Sequence, residues 1–309
     1  MSLHPTTPQF KDNAHHALHD VQLQKALSNV RNNFVERRAQ AAARLPEFEQ
    51  LRDSARDIKN HVLAHLDLYL ERYEAKVIAQ GGHVHFARTS QEACETILNI
   101  CKSHGAKTVT KGKSMVSEEI GLNAALEAAG LQAIETDLGE YIIQLRGEAP
   151  SHIIAPAVHL NKEQVEEDFR RVHTHLPPER DLTEPETLLS EARAILRQNF
   201  LSADIGITGA NFLVAETGSS IIVTNEGNGD LTQILPRVHI VVASLEKIVP
   251  TLDDAAQIMR ILARSATGQD MTVYSTISTG PRRAGDVDGP EHYHVVLVDN
   301  GRSNMLGSD

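Results

Sequence analysis

The chain runs to 309 residues with 41% hydrophobic side chains, enough to bury a full core as one large α/β domain or two lobes. Its 41 acidic residues against 30 basic ones leave a formal charge of −11, which argues against a nucleic-acid surface. No stretch approaches the roughly 20 apolar residues of a membrane span, and the polar N-terminus carries no export pattern.

Residues 1–24, polar and holding Pro5, Pro8 and several histidines, read as a weakly ordered arm. Over 25–80 the pattern is helical: Leu51, Ala55, Ile58, Val62, Leu66, Tyr69 and Tyr73 step by three or four, giving a lead-in that packs on the main domain or on a partner. His61 and His65 are i, i+4, but no Glu follows His61 and no third ligand is near, so no metal is expected. From residue 81 strands and helices alternate. Strands are expected over 83–87, 107–110, 131–135 and 152–155, and helices over 90–104 (capped by Ser90), 117–129, 138–145 and 162–172. That alternation implies βαβ crossovers and a mostly parallel sheet with flanking helices. Cys94 and Cys101 are the only thiols, seven residues and about 10 Å apart along one helix at 1.5 Å per residue. A disulfide is out of reach, and the expected setting is a reducing cytoplasm.

The segment 176–186, with Pro177, Pro178 and Pro185, reads as a connection between two halves of a domain over 81–302. A helix over 186–199 then leads into the stretch 204–229. Here apolar runs at 205–214 and 220–224 are joined by Ala215-Glu216-Thr217-Gly218-Ser219 and followed by Asn225-Glu226-Gly227-Asn228-Gly229. Open α/β sheets hold ligands at such strand ends, and Glu216 sits among small residues with the Thr217 and Ser219 hydroxyls beside it. The plain alternative is a hairpin with a solvated glutamate. Strands at 238–243, 271–277 and 293–298 and a helix at 252–265 complete the domain. The 279–291 loop carries five glycines and prolines with Arg282 and Arg283, and 303–309 reads as a tail.

Lys111-Gly112-Lys113-Ser114 follows a strand and precedes a helix, but position 107 is lysine where a phosphate loop needs glycine, so nucleotide hydrolysis is not expected. What remains is two lysines, a hydroxyl and free helix-start N–H groups that suit a carboxylate or phosphate. The alternative has Ser117 with Glu118 or Glu119 serving the helix start alone. Gly227-x-Gly229 lacks the third glycine of a dinucleotide site. Glu135, Asp137 and Glu140 offer acid–base groups or helix-dipole partners, and His152, His159, His292 and His294 lack a convergent third ligand.

The blocks KGKSMVSEEIGLNAALEAAG, ETDLGEYIIQL, PSHIIAPAVH, ITGANFLVAETGSSIIVTNEGNG and GPEHYHVVLVDNGR, in this order, resemble the lactate utilisation (LUD) domain family over residues 25–302. The nearest resemblance is to the iron–sulfur subunits of bacterial L-lactate oxidising systems. It implies a fold like the NagB/RpiA/CoA transferase group, sister subunits as partners, and oxidation of L-lactate to pyruvate. In that family the segment like DNGR runs on into cysteine-rich motifs holding [4Fe–4S] clusters, whereas no cysteine follows Cys101 here. The expectation is a truncated piece that carries no cofactor itself. Strand-end placement and these blocks together nominate Lys111, Lys113 and Ser114 as contacts to a small anionic ligand and Glu216 as the polar or catalytic centre. Thr208, Gly209, Thr217, Gly218 and Ser219 form the expected cradle, with Glu226 and Asn228 as the rim. Two alternatives stand beside this reading: a freestanding CoA transferase or sugar-phosphate isomerase using Glu216, and an assembly scaffold docking partners through its helical lead-in.

Overall fold

Two nearly unbroken apolar runs, at 238–244 and 292–298, set the centre of the fold, because such runs suit strands covered on both faces. The structure is a computed structural model that describes residues 7–30, 34–151 and 155–306. Its strands are β1 (His83–Ala87), β2 (Thr108–Lys111), β3 (Gln132–Glu135), β4 (Ile205–Thr208), β5 (Phe212–Val214), β6 (Ser219–Thr224), β7 (Val238–Ser244), β8 (Ile248–Val249), β9 (Tyr274–Ser278) and β10 (His292–Val298). The first sheet has the order β1-β10-β7-β4-β2-β3 and is parallel throughout. A second sheet, β8-β5-β6-β9, pairs β5 with β6 and β6 with β9 antiparallel.

The helices are α1 (Phe10–His19), α2 (Val21–Val30), α3 (Glu36–Ala43), α4 (Phe48–Ala64), α5 (Leu66–Ala79), α6 (Ser90–Ser103), α7 (Met115–Glu119), α8 (Leu122–Ala128), α9 (Leu138–Arg146), α10 (Lys162–Val172), α11 (Pro185–Ser202), α12 (Asn228–Ile234) and α13 (Leu252–Ala266). Alternation along the central strands divides the core. Val296 and Val298 face Ile97, Ile100 and Cys101 of α6, while Tyr293, Val295 and Leu297 face Val62, Tyr73 and Val77 of the lead-in helices. The lead-in therefore packs on the main domain. Its Lys59 threads to the second sheet and donates to Ile248 O at 3.0 Å.

Several expectations are corrected. The N-terminal stretch read as a loose arm carries α1 and α2, although Phe10, Leu18 and Val21 stay exposed. Thr89, not Ser90, caps α6 by accepting from Glu92 N at 3.2 Å. The helix expected over 117–129 is two, because Gly121 turns the chain at φ +68° between α7 and α8. The strand expected over 205–214 divides at residues 209–211, so that β4 and β5 join different sheets. The strand at 271–277 shifts to β9, and α12 fills a stretch read as turns. Most of the strand expected over 152–155 lies outside the described residues.

The approach of α12 to β4 is set by Gly206, where an added Cβ would stand 1.8 Å from the Thr232 carbonyl oxygen. No side-chain motion relieves a backbone clash of that kind. Gly206→Ala is expected to destabilise the protein by roughly 2 kcal/mol or more, read as a lowered denaturation midpoint; an unchanged midpoint would show α12 free to move.

Candidate functional site

Within the first sheet the strand that follows β2 in the chain, β3, lies on one side, and the one that follows β4, β7, lies on the other, reached by way of the second sheet, so β2 and β4 flank a switch point. Open α/β sheets bind ligands at such a switch point, outside the carboxyl ends of the strands. Here Gly112 N donates to Ile207 O at 2.8 Å. A Cβ on Gly209 would stand 3.2 Å from Ser114 Oγ and 3.3 Å from Lys113 O. Lys113, Ser114, Thr208 and Gly209, nominated from separate motifs, meet at this point. Ser114 also caps α7, its Oγ accepting from Ser117 N at 3.2 Å; Ser117 is the recipient of the cap and not its source.

Between this edge and the second sheet lies a cleft of about 590 Å³, lined by Lys113, Ser114 and Gly209 on one side and by Thr224, Glu226 and Asn228 on the other. Asn211, Asp137, Lys247 and Arg302 complete it; of these only Asp137 stood out in the sequence, as an acid–base or helix-dipole group. Asn211 holds the crossing between sheets, accepting from Val223 N at 3.0 Å. Arg302 is clamped by Glu119 at 2.7 Å and Glu246 at 3.1 Å, whereas Lys247 has no carboxylate partner among the described residues. Desolvation lifts the Glu226 carboxyl above the usual carboxylate range and the nearby Asp137 adds to it, partly offset by the Leu138 N–H and by Lys113. The lining therefore offers cations, hydroxyl and amide groups, and a carboxylate of raised proton affinity.

Glu216 is elsewhere. It lies before β6 and Glu226 after it, and six residues at about 3.3 Å each separate the two turns by roughly 20 Å. Glu216 is exposed, and its carboxylate accepts from Leu252 N at 3.3 Å, complementing the start of α13. Thr217 and Ser219 bond to each other at 2.8 Å and Ser219 to Thr279 at 2.7 Å. Gly218, at φ +73°, presses on the backbone of Lys76 and Val77 in α5. This turn is a packing device, and it does not share the cleft with Lys113.

Lys111 also departs from its expected role. Its side chain is fully buried, with Nζ 2.8 Å from Glu135 Oε1 and 3.0 Å from Glu118 Oε1, so it grips carboxylates of its own chain. Burial alone would lower its pKa, but Glu135, Glu118 and Glu140 outweigh that and hold the ammonium charged. Burial, and then the charge on Glu135, push Glu140 up to about 8. Glu140 therefore keeps its proton at neutral pH. Asp137 serves as the cap of α9, accepting from Gly139 N at 3.1 Å.

Thr208 lies beneath the cleft floor, its Oγ1 2.8 Å from His239 Nε2, and burial lowers His239 to about 3. At the other end of the sheet His292 and His294 join His83, His85 and His104, with His85 Nε2 and His294 Nδ1 at 3.1 Å. His61 contacts the Tyr69 hydroxyl at 3.0 Å. His159 meets Glu148 at 3.1 Å, and His152 lies outside the described residues. Among the described residues no three His, Cys, Asp or Glu side chains are arranged to hold a metal.

A model of the LUD domain matches residues 70–298. The chain belongs to the LUD-domain family. The match spans the cleft loops after β2 and β4 and stops before Arg302. Lactate utilization protein B of Anoxybacillus flavithermus is 45% identical, over 100% of this chain and 65% of that protein. The uncharacterized electron transport protein YkgF of Escherichia coli is also 45% identical, over 100% of this chain and 64% of its own length. The chain spans just under two thirds of these relatives. A crystal structure of a DUF162 family protein from Deinococcus radiodurans aligns with a TM-score of 0.42 at 13% identity, over 75% of this chain and 98% of that one.

Lys111→Met in this LUD domain strands buried carboxylates without their cation and is expected to cost about 3–5 kcal/mol in chemical denaturation. A carboxyl held near 8 when folded and near 4.5 when unfolded favours folding most below about 4.5, and that contribution is lost as pH rises through 8. Glu140→Gln is therefore expected to flatten the fall in urea midpoint across this range; identical profiles for variant and parent would refute the raised Glu140 carboxyl.

Proposed function

We propose that this LUD domain is the ligand-holding part of a subunit like lactate utilization protein B, a cytoplasmic protein that acts with sister subunits in oxidising L-lactate to pyruvate. The observation that carries the reading is the 45% identity running the whole length of this chain. The name of the Escherichia coli relative, an uncharacterized electron transport protein, points the same way. The cleft suits a small hydroxy acid: Lys113 and Lys247 match a carboxylate, and Glu226 matches a hydroxyl that donates a hydrogen bond.

The [4Fe–4S] clusters of such a system belong outside residues 1–309. Cys94 and Cys101 are both buried, burial raises both thiols, the second to about 12, and a cluster takes about four thiolates. The thiols present do not fit one. No helix among the described residues is long and apolar enough to cross a membrane.

The test is thermal denaturation of the chain with and without millimolar L-lactate, pyruvate, ribose 5-phosphate and acetyl-CoA. L-Lactate or pyruvate is expected to stabilise it, by about 2.7 kcal/mol at a hundredfold excess over Kd. Lys113→Ala with Glu226→Gln should remove the shift, while Glu216→Ala leaves it in place. A shift with acetyl-CoA or ribose 5-phosphate alone would overturn the reading in favour of transferase or isomerase chemistry. No shift with any of them would favour a role in assembly.

A further inference from the structure

Beside the cleft, and sharing Glu226 and Asn228 with it, runs a second hollow of about 930 Å³ between α11 and α12. Leu189 and Leu201 of α11 and Leu231 and Leu235 at α12 line it, and they remain 43%, 61%, 41% and 43% exposed. Single exposed leucines are ordinary, but four around one hollow form an apolar patch that marks an interaction site. Along α11 the stripe Leu189, Arg193, Arg197, Leu201 recurs every fourth residue, so leucines bracket two arginines on one face. The stripe is about 18 Å long at 1.5 Å per residue, matching a helix of three to four turns.

The arginines decide what fits. Arg146, Arg180, Arg260 and Arg302 are each paired with a carboxylate of this chain. Arg193 and Arg197, both exposed on the hollow's wall, pair with nothing among the described residues. In a chain of net charge −11, two uncommitted guanidinium groups beside an open leucine trough select an apolar surface edged with carboxylates.

We propose that this trough docks an acidic amphipathic helix of a partner protein, its apolar face on the four leucines and its carboxylates on Arg193 and Arg197. The inference holds whatever ligand the cleft takes. It is tested with a fluorescein-labelled synthetic helix bearing leucines at i, i+3, i+4 and i+7 and glutamates along the flank, titrated against the chain by fluorescence anisotropy beside a lysine-flanked counterpart. The glutamate peptide is expected to bind at least about tenfold tighter, and less tightly in high salt. Arg193→Glu with Arg197→Glu should erase that preference, and Leu231→Asp should weaken both peptides, with melting temperatures near that of the parent. Equal affinity for the two peptides, or indifference to the charge reversal, overturns the proposal. So does binding of decanoate without either peptide, which would assign the trough to a small amphiphilic anion. A dimer seen in sedimentation and dissolved by Leu231→Asp would assign it to a second copy and overturn it equally.

Discussion

A fully desolvated ammonium is tolerated only where carboxylates surround it, and Lys111 at the end of β2 imposes that condition on everything nearby. Glu118 arrives from α7, Glu135 from the end of β3 and Glu140 from α9. Three separate elements are drawn to one point, and with them the loops that leave β2 and β3. Gln144 of α9 adds to this by bonding both Glu135 N and Ala133 O, covering the open edge of β3 as a neighbouring strand would. Replacing such a knot by apolar residues need not cost stability, so its role is better understood as specifying register. The loops it places, at 112–114 and 136–137, are loops that line or floor the cleft.

The second determinant is the change of sheet after β4. Gly209 fits against Ser114, and Asn211 engages the second sheet through its N–H to Ile221 O and its side chain to Val223 N. The second sheet is thereby folded over the carboxyl edge of the first, and a cleft exists between them. Which glutamate serves that cleft follows from strand direction. The turn before β6 faces α5 and α13, and the turn after it faces Lys113, so Glu226 and not Glu216 lines the cleft.

The cleft and the leucine trough have Glu226 and Asn228 in common. A helix lying along α11 and α12 would press on the residues that form one wall of the cleft, which gives a physical route for a docked partner to alter what the cleft binds. Such a route suits a domain whose relatives are longer than this chain by about half.

Residue order alone determined the parallel α/β architecture, since apolar runs separated by amphipathic stretches of helical period leave few other ways to cover both faces of a sheet. It also marked Lys113, Ser114, Gly209, Glu226 and Asn228 as candidates, because glycine, lysine and small polar residues at strand ends are a local signal. Family membership was legible in the same blocks, which lie within or against the LUD match. Only the tertiary structure decided which of the nominated groups share a site. Lys111 looks like its neighbour Lys113 in sequence, yet one is sealed beneath the sheet edge and the other opens on the cleft. That difference, like the distance between Glu216 and Glu226, depends on which elements pack over each strand end, and burial set by long-range contacts has no local signature.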